Sequence, residues 1–272
     1  MLFHLLIILG VAVFSMALRS YSHIAAQKLG ALGIFSTSFL IGWFFTGYIS
    51  IGIICAASWL LLPWLELLTR IRKLRLPLEK NLRHKAPPSR EILPALNDLT
   101  DEIEEEGFEF IDDAGWEWDD YQQFFRLFYK SNDRTQTAIC LIDQDQVAFY
   151  YVSISSRAKD GRIWTTWNYP FSYSLKLAPQ WRVNRMRGEH SYFEMHENHR
   201  DWLRRNGVSI DELEELDPEK IQTEIQKDLR AQIAHNLAKG VLKQTAEGQI
   251  RYSWRGLFFI WFQFLRDLVT LS

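Results

Sequence analysis

A chain of 272 residues has room for a membrane-inserted part and one further domain of ordinary size. Its 31 Lys and Arg nearly balance its 33 Asp and Glu, but the charges are segregated: residues 70 to 90 hold eight Lys or Arg and one acid, Glu79, whereas residues 98 to 120 hold twelve Asp or Glu and no base. Two cysteines exclude a disulfide framework and fit a reduced compartment, and the basic cluster is accounted for by its place after an apolar run, so no nucleic acid is expected as a partner.

Residues 2 to 18 are apolar apart from His4 and Ser15 and span about 25 Å as a helix, enough for a short membrane crossing. The alternative is a cleaved signal peptide, favoured by the small residues around Met16 and opposed by the lack of Lys or Arg before the apolar core. Residues 30 to 68 contain no Lys, Arg or Asp and one Glu, Glu66. That stretch exceeds one untilted crossing and divides at residues 47 to 50, predicting helices near 31–48 and 51–68 with a very tight connection. A single crossing with a long interfacial end is the two-span alternative. With three spans, Arg19, Lys28 and the basic block all fall on one side, the cytoplasmic side by the positive-inside tendency. Arg70, Arg72, Lys73 and Arg75 are then expected at anionic lipid headgroups. Glu66, four residues before Arg70, reads as an interfacial acid paired or hydrated there, not as part of an ion path.

Residues 70–89 read as a basic juxtamembrane linker ending in a stiff segment at Pro87 and Pro88. A helix follows from Pro94, with Leu96, Leu99 and Ile103 on one face and Gly107 as its stop. Residues 108 to 168 read mostly as strands: 123–129, 137–142, 147–155 and 163–168 are aromatic and β-branched, and short turn-rich segments, including one at 143–146, join them into an antiparallel meander. Leu175 to Val183 is a candidate further strand. The helical period returns from Tyr192 to Leu203, and Asp217 with Pro218 opens another helix carrying Ile221, Ile225, Leu229, Ile233 and Leu237 as one stripe. Helices against one face of the sheet are expected, and for the first half the element order is similar to a cystatin-like arrangement. Residues 256–271 form an amphipathic pattern too short to span, placing Trp261 at the membrane surface or packing the helix on the domain.

The fold class expected is therefore a membrane-anchored α+β protein: two or three transmembrane helices in residues 1–69, the linker 70–89, a cytosolic helix, β-meander and helices over 90–250, and an amphipathic or membrane-associated helix over 254–272. The localisation expected is the cell inner, or plasma, membrane.

Chemistry-bearing patterns are sparse. His190, His196 and His199 with Glu189, Glu194 and Glu197 resemble a metal site, but His196 and His199 are one residue short of zinc-protease spacing, and surface histidines are the reading adopted. Asp112 and Asp113, with Glu117, Asp119 and Asp120, read as a solvated acidic loop. Polar groups on neighbouring strands, among them Ser153, Ser155, Ser156, Thr165 and Thr166, read as cross-strand hydrogen bonding. No Rossmann, Walker or nucleophile-elbow pattern occurs, so no cofactor, metal or catalytic set is expected. The function expected is a non-catalytic binding, scaffold or regulatory module in a membrane complex, with the bilayer and a membrane protein as partners. The alternative is a membrane-tethered enzyme or small-ligand sensor, with Asp112, Asp113, Thr165 and Asn168 lining one cleft between the meander and its helices.

Overall fold

The structure, a computed structural model, describes residues 2–21, 23–144, 147–188, 190–245 and 248–270. Asp145, Gln146, Glu189 and Leu271, which enter the sequence expectations, lie outside the described residues.

Three long apolar helices come first: α1 (Leu2–Arg19), α2 (Ile24–Thr46) and α3 (Ile49–Glu66), each long and apolar enough to cross a membrane. The tight connection expected between the last two is tighter still. Gly47 adopts a left-handed φ of 76° and closes α2 by donating its N–H to the Trp43 carbonyl, and Tyr48 already caps α3. Small residues let the helices approach. Gly30 and Gly33 face Ser15 of α1, and Gly42 lies so close to α3 that a Cβ there would come within 2.8 Å of the Ile51 carbonyl oxygen. The helical path continues beyond α3 through a π-helical turn, Leu67–Ile71.

The segment after it is not a free linker. It contributes β1 (Leu76–Pro77) to one sheet and β2 (Arg83–His84) to another before α4 (Leu96–Glu105) begins. Next come β3 (Glu109–Trp118), β4 (Tyr121–Lys130), β5 (Thr135–Gln144), β6 (Val147–Arg157), β7 (Ile163–Trp167) and β8 (Trp181–Arg185). The chain then forms α5 (Tyr192–Arg205), α6 (Ile221–Ala238), β9 (Leu242–Gln244), β10 (Gln249–Tyr252) and α7 (Trp254–Thr270). The whole is an α+β fold.

The main sheet has seven strands in sequence order, β2 to β8. It is antiparallel from β2 to β7, as a meander should be, but β8 runs parallel to β7, so the sheet is mixed. The expected strand over 175–183 is displaced to Trp181–Arg185, because 168–180 is a long crossover connection and not a hairpin.

Helices cover both faces of this sheet, not one. Phe124, Phe128, Ile139, Leu141, Val152 and Ile154 pack against α4 and α5. The alternate residues Phe125, Leu127, Cys140 and Tyr151 pack against Ile221, Ile225 and Leu229 of α6. Because strand side chains alternate, two apolar faces require two covers. The α6 stripe outruns the sheet, and Ile233 and Leu237 enter another core with Val241, Ile250, Leu257, Ile260 and Leu67. That core joins the small sheet β1-β10-β9 and α7 to the end of α3.

Candidate functional site

Small side chains on the α6-facing side of the sheet leave space that α6 does not fill. In register, Ala138 pairs with Ser153 and Gln136 with Ser155 across β5 and β6, and Cys140 follows on the same face. Ser155 and Thr165 are tied through their hydroxyl oxygens, 2.8 Å apart. Between this floor and Ile221, Ile225 and Leu229 lies a cavity of about 280 Å³. A second cavity of about 870 Å³ adjoins it, sharing walls at Lys80, Tyr121, Ile142, Tyr169, Tyr173 and Leu175. The second is bounded by Phe149 and Phe171 on one side and by Ile260, Gln263 and Phe264 of α7 on the other. Its aromatic rings interlock edge-to-face, with Phe149 and Phe171 at 4.8 Å and Tyr151 and Tyr169 at 5.0 Å between centroids.

Polar groups in this lining are few. Gln136 Oε1 and the indole N–H groups of Trp167 and Trp181 are buried without a protein partner along the first cavity, as are Ser172 Oγ and Gln263 Oε1 along the second. Burial raises the Tyr121, Tyr151 and Tyr169 phenols and pushes Tyr252 and the Cys140 thiol up to about 12, so all stay neutral at physiological pH. A protonated, buried thiol is a poor nucleophile. The walls carry charged groups, Asp228 along the first cavity and Arg185, Arg187 and Asp267 along the second, and the cation common to both is Lys80, whose ammonium lies 4.4 Å over the Trp116 ring. Burial lowers Lys80 to about 8, and no carboxylate among the described residues offsets that cost.

The four residues expected in one cleft do not converge. Asp112 and Asp113 of the expected acidic loop lie in the strand β3, whose alternation sends them to opposite faces. Asp112 lies 3.0 Å from the His84 imidazole on the α6 side. Asp113 is buried on the α4 side and accepts two bonds from Arg126, at 2.9 and 2.8 Å, while Arg126 also reaches Thr100 of α4. Three strands separate β3 from β7, roughly 19 Å at about 4.8 Å per strand. Thr165 is buried under the first cavity, and Asn168 uses its side-chain oxygen to accept the Val152 N–H at 2.7 Å. Of the four, Asn168 lines the larger cavity.

Of the three histidines read as surface groups, His190 is exposed and the other two are not. His196 and His199 are buried because α5 lays them against the sheet and not toward solvent. Each ring nitrogen of His196 meets a carboxylate, Glu106 at 3.2 Å and Asp133 at 3.1 Å. His199 sits between the Ser156 hydroxyl at 3.1 Å and the Thr166 hydroxyl at 2.9 Å, and burial pushes it down to about 3. Ser156 with His199 has the contact of a nucleophile and base, but the second nitrogen meets a hydroxyl where a carboxylate would orient a base, and both residues lie on the sheet face away from the cavities. No metal-binding group of His, Cys, Asp or Glu occurs among the described residues.

At the basic segment, Arg70 pairs with Glu66 at 3.3 Å, Arg72 lies 4.5 Å over Trp254, and Arg75 donates to backbone carbonyls of Arg72, Lys73 and Leu74. Lys73 is exposed. Trp261 turns toward α3, donating its indole N–H to the Leu60 carbonyl at 2.7 Å and packing by Trp64.

Sequence reasoning offered a pocket between the meander and its helices as its alternative, but missed the aromatic lining and Lys80. A signal for Lys80 was present: Leu76, Leu78, Lys80 and Leu82 alternate with Pro77, Glu79 and Asn81, so a period of two puts the lysine on the apolar side. No protein-family model matches the sequence, and neither a curated protein nor a solved structure matches it.

Proposed function

We propose that this chain is a membrane-anchored, non-catalytic binding protein whose α+β domain holds a small apolar molecule in the two adjoining cavities, on the cytosolic side of the cell inner membrane. The observation that carries this reading is the pair of aromatic-lined cavities of about 280 and 870 Å³, built over a floor of small residues. Their size is that of sites for drug-sized ligands, about 300–1,000 Å³, and apolar walls with a few polar groups are the usual lining of such sites. Of the two functions expected from sequence, this keeps binding without catalysis from the first and the pocket from the second. The exposed basic residues Arg72 and Lys73 support contact with anionic headgroups. A second reading, docking of a basic membrane-protein partner, is favoured by Asp98, Asp101, Glu104 and Glu105, which α4 exposes together.

The test uses the full chain in lipid nanodiscs with a photoreactive alkyl probe, followed by peptide mapping. Labelling is expected on the α6 and 168–180 peptides as well as on the apolar N-terminal helices. Ser153→Phe, which fills the floor, should remove the former and spare the latter, and Ala138→Leu provides a milder filling if the first variant misfolds. Labelling confined to the N-terminal helices in the unaltered protein overturns the reading.

A further inference from the structure

Lys80 stands at a boundary. It lines both apolar cavities and also a polar groove of about 450 Å³ formed with Arg83, His84, Lys85 and Trp116, and among the described residues no other side chain lines all three. An ammonium group is expensive to hold among aromatic walls without a counter-charge, and a solvent-facing position would avoid that cost. Its one close favourable contact is the Trp116 ring, which stacks on Tyr121 at 4.8 Å. With its ordinary value lowered only to about 8, the amine still carries its proton at neutral pH. The site therefore offers a positive charge on the wall that the two cavities share, in addition to Arg185 and Arg187, which line the larger cavity alone.

Access from the bilayer is built into the same walls. The larger cavity is lined by Ile71 and Leu74, which follow α3 directly, and by Ile260, Gln263 and Phe264 of α7. The opposite flank of α7 packs on α3 through Phe258 and Trp261 against Trp64, at 4.9 and 6.2 Å between centroids. Apolar side chains of Ile71, Leu74, Ile260 and Phe264 thus line the cavity beside the end of α3.

We propose that the cavities take a single-chain lipid with an acidic head, of the class of a long-chain fatty acid drawn from the bilayer, its carboxylate on the Lys80 ammonium and its chain among the aromatic side chains. The inference rests on the cavity-binding reading above and adds the charge and shape of the ligand. The larger cavity, at about 870 Å³, has room for a long chain. The carboxylate supplies the counter-charge that no carboxylate among the described residues supplies to Lys80.

The experiment compares two photoreactive probes of identical chain, one ending in a carboxylate and one in a primary alcohol, on the full protein in nanodiscs of neutral lipid. The acid is expected to label the cavity peptides about tenfold more strongly than the alcohol, the ordinary worth of a charge-assisted hydrogen bond. Lys80→Gln should bring the acid down to the level of the alcohol, and Lys80→Arg should retain the preference. Equal cavity labelling by both probes in the unaltered protein, a comparison that needs no variant, overturns the acidic ligand while leaving the cavity reading intact. An acid preference that survives Lys80→Gln overturns the role of Lys80. Cavity peptides unlabelled by either probe overturn the cavity reading, and this inference with it.

Discussion

Two imidazoles three residues apart on α5 meet opposite surroundings, and that contrast gives acid stability a residue-level cause. His196 is held by two carboxylates, whereas His199 is buried against two hydroxyls and His196 itself, and desolvation, then His196, pushes it down to about 3. In the unfolded chain its value returns to about 6.5. Between those values the unfolded state binds the extra proton, so this residue's contribution to stability is full above pH 6.5 and is lost progressively as pH falls toward 3. From pH 6.5 to pH 5 the loss is about 2 kcal/mol. His199→Gln can still bond both hydroxyls and has no proton to gain. The difference between denaturation midpoints at pH 6.5 and pH 5 should therefore shrink in the variant by that amount, and an unchanged difference would show that the imidazole stays neutral for no cost. The ion pair of Asp113 with Arg126 is the other buried polar commitment on this face. Both were read from sequence as surface features, because an isolated His or Asp carries no sign of the helix face or strand parity that buries it.

At the scale of elements, close helix approach depends on positions where no side chain fits. A Cβ at Gly42 would meet the Ile51 carbonyl oxygen at 2.8 Å, and one at Gly52 would meet the Phe39 carbonyl oxygen at 2.8 Å; both neighbours are backbone and cannot swing aside. Gly10 has nothing within 4 Å. Gly42→Leu should therefore cost about 1–3 kcal/mol in an SDS unfolding titration, the ordinary penalty of overpacking, while Gly10→Leu leaves the midpoint unchanged. Equal effects would mean that α2 and α3 are not held at this contact. The three apolar helices, the meander strands and the capped start of the α6 segment were legible because each rests on local pattern: apolar length, alternation, and Asp217 before Pro218. What was not legible is non-local. Nothing near Trp181 says that β8 runs parallel to β7, and nothing near Arg83 says that the basic segment adds an edge strand. The cavity floor needs the pairing of Ala138 with Ser153 to be known before the two small side chains can be seen as one gap.

For the whole molecule, the proposed cytosolic placement of the domain rests on the charges at helix ends. Consecutive antiparallel helices bring the end of α1 at Arg19, the first turns of α2 at Lys28 and the exit of α3 at Arg70 to one end, whereas the connection at Gly47 and Tyr48 has no basic residue beside it. Cations near a membrane end are retained on the cytoplasmic side, each favoured by about 1 kcal/mol near anionic headgroups. The α+β domain follows the cationic end and is woven to it: β1 pairs with β10, and α7 bonds back to α3 through Trp261. A reporter that works only outside the cytoplasm should thus be silent when fused after Lys85 and active when fused after Tyr48. Activity after Lys85 would place the domain and its cavities outside. Silence after both would return the chain to one crossing between residues 30 and 68, with the Gly47 bend inside the bilayer and not at its far surface. The cationic cluster, the α7 contact and the lining residues Ile71 and Leu74 of the larger cavity all lie by the end of α3, so the proposed uptake of a lipid from one leaflet stands or falls with the side on which that end emerges.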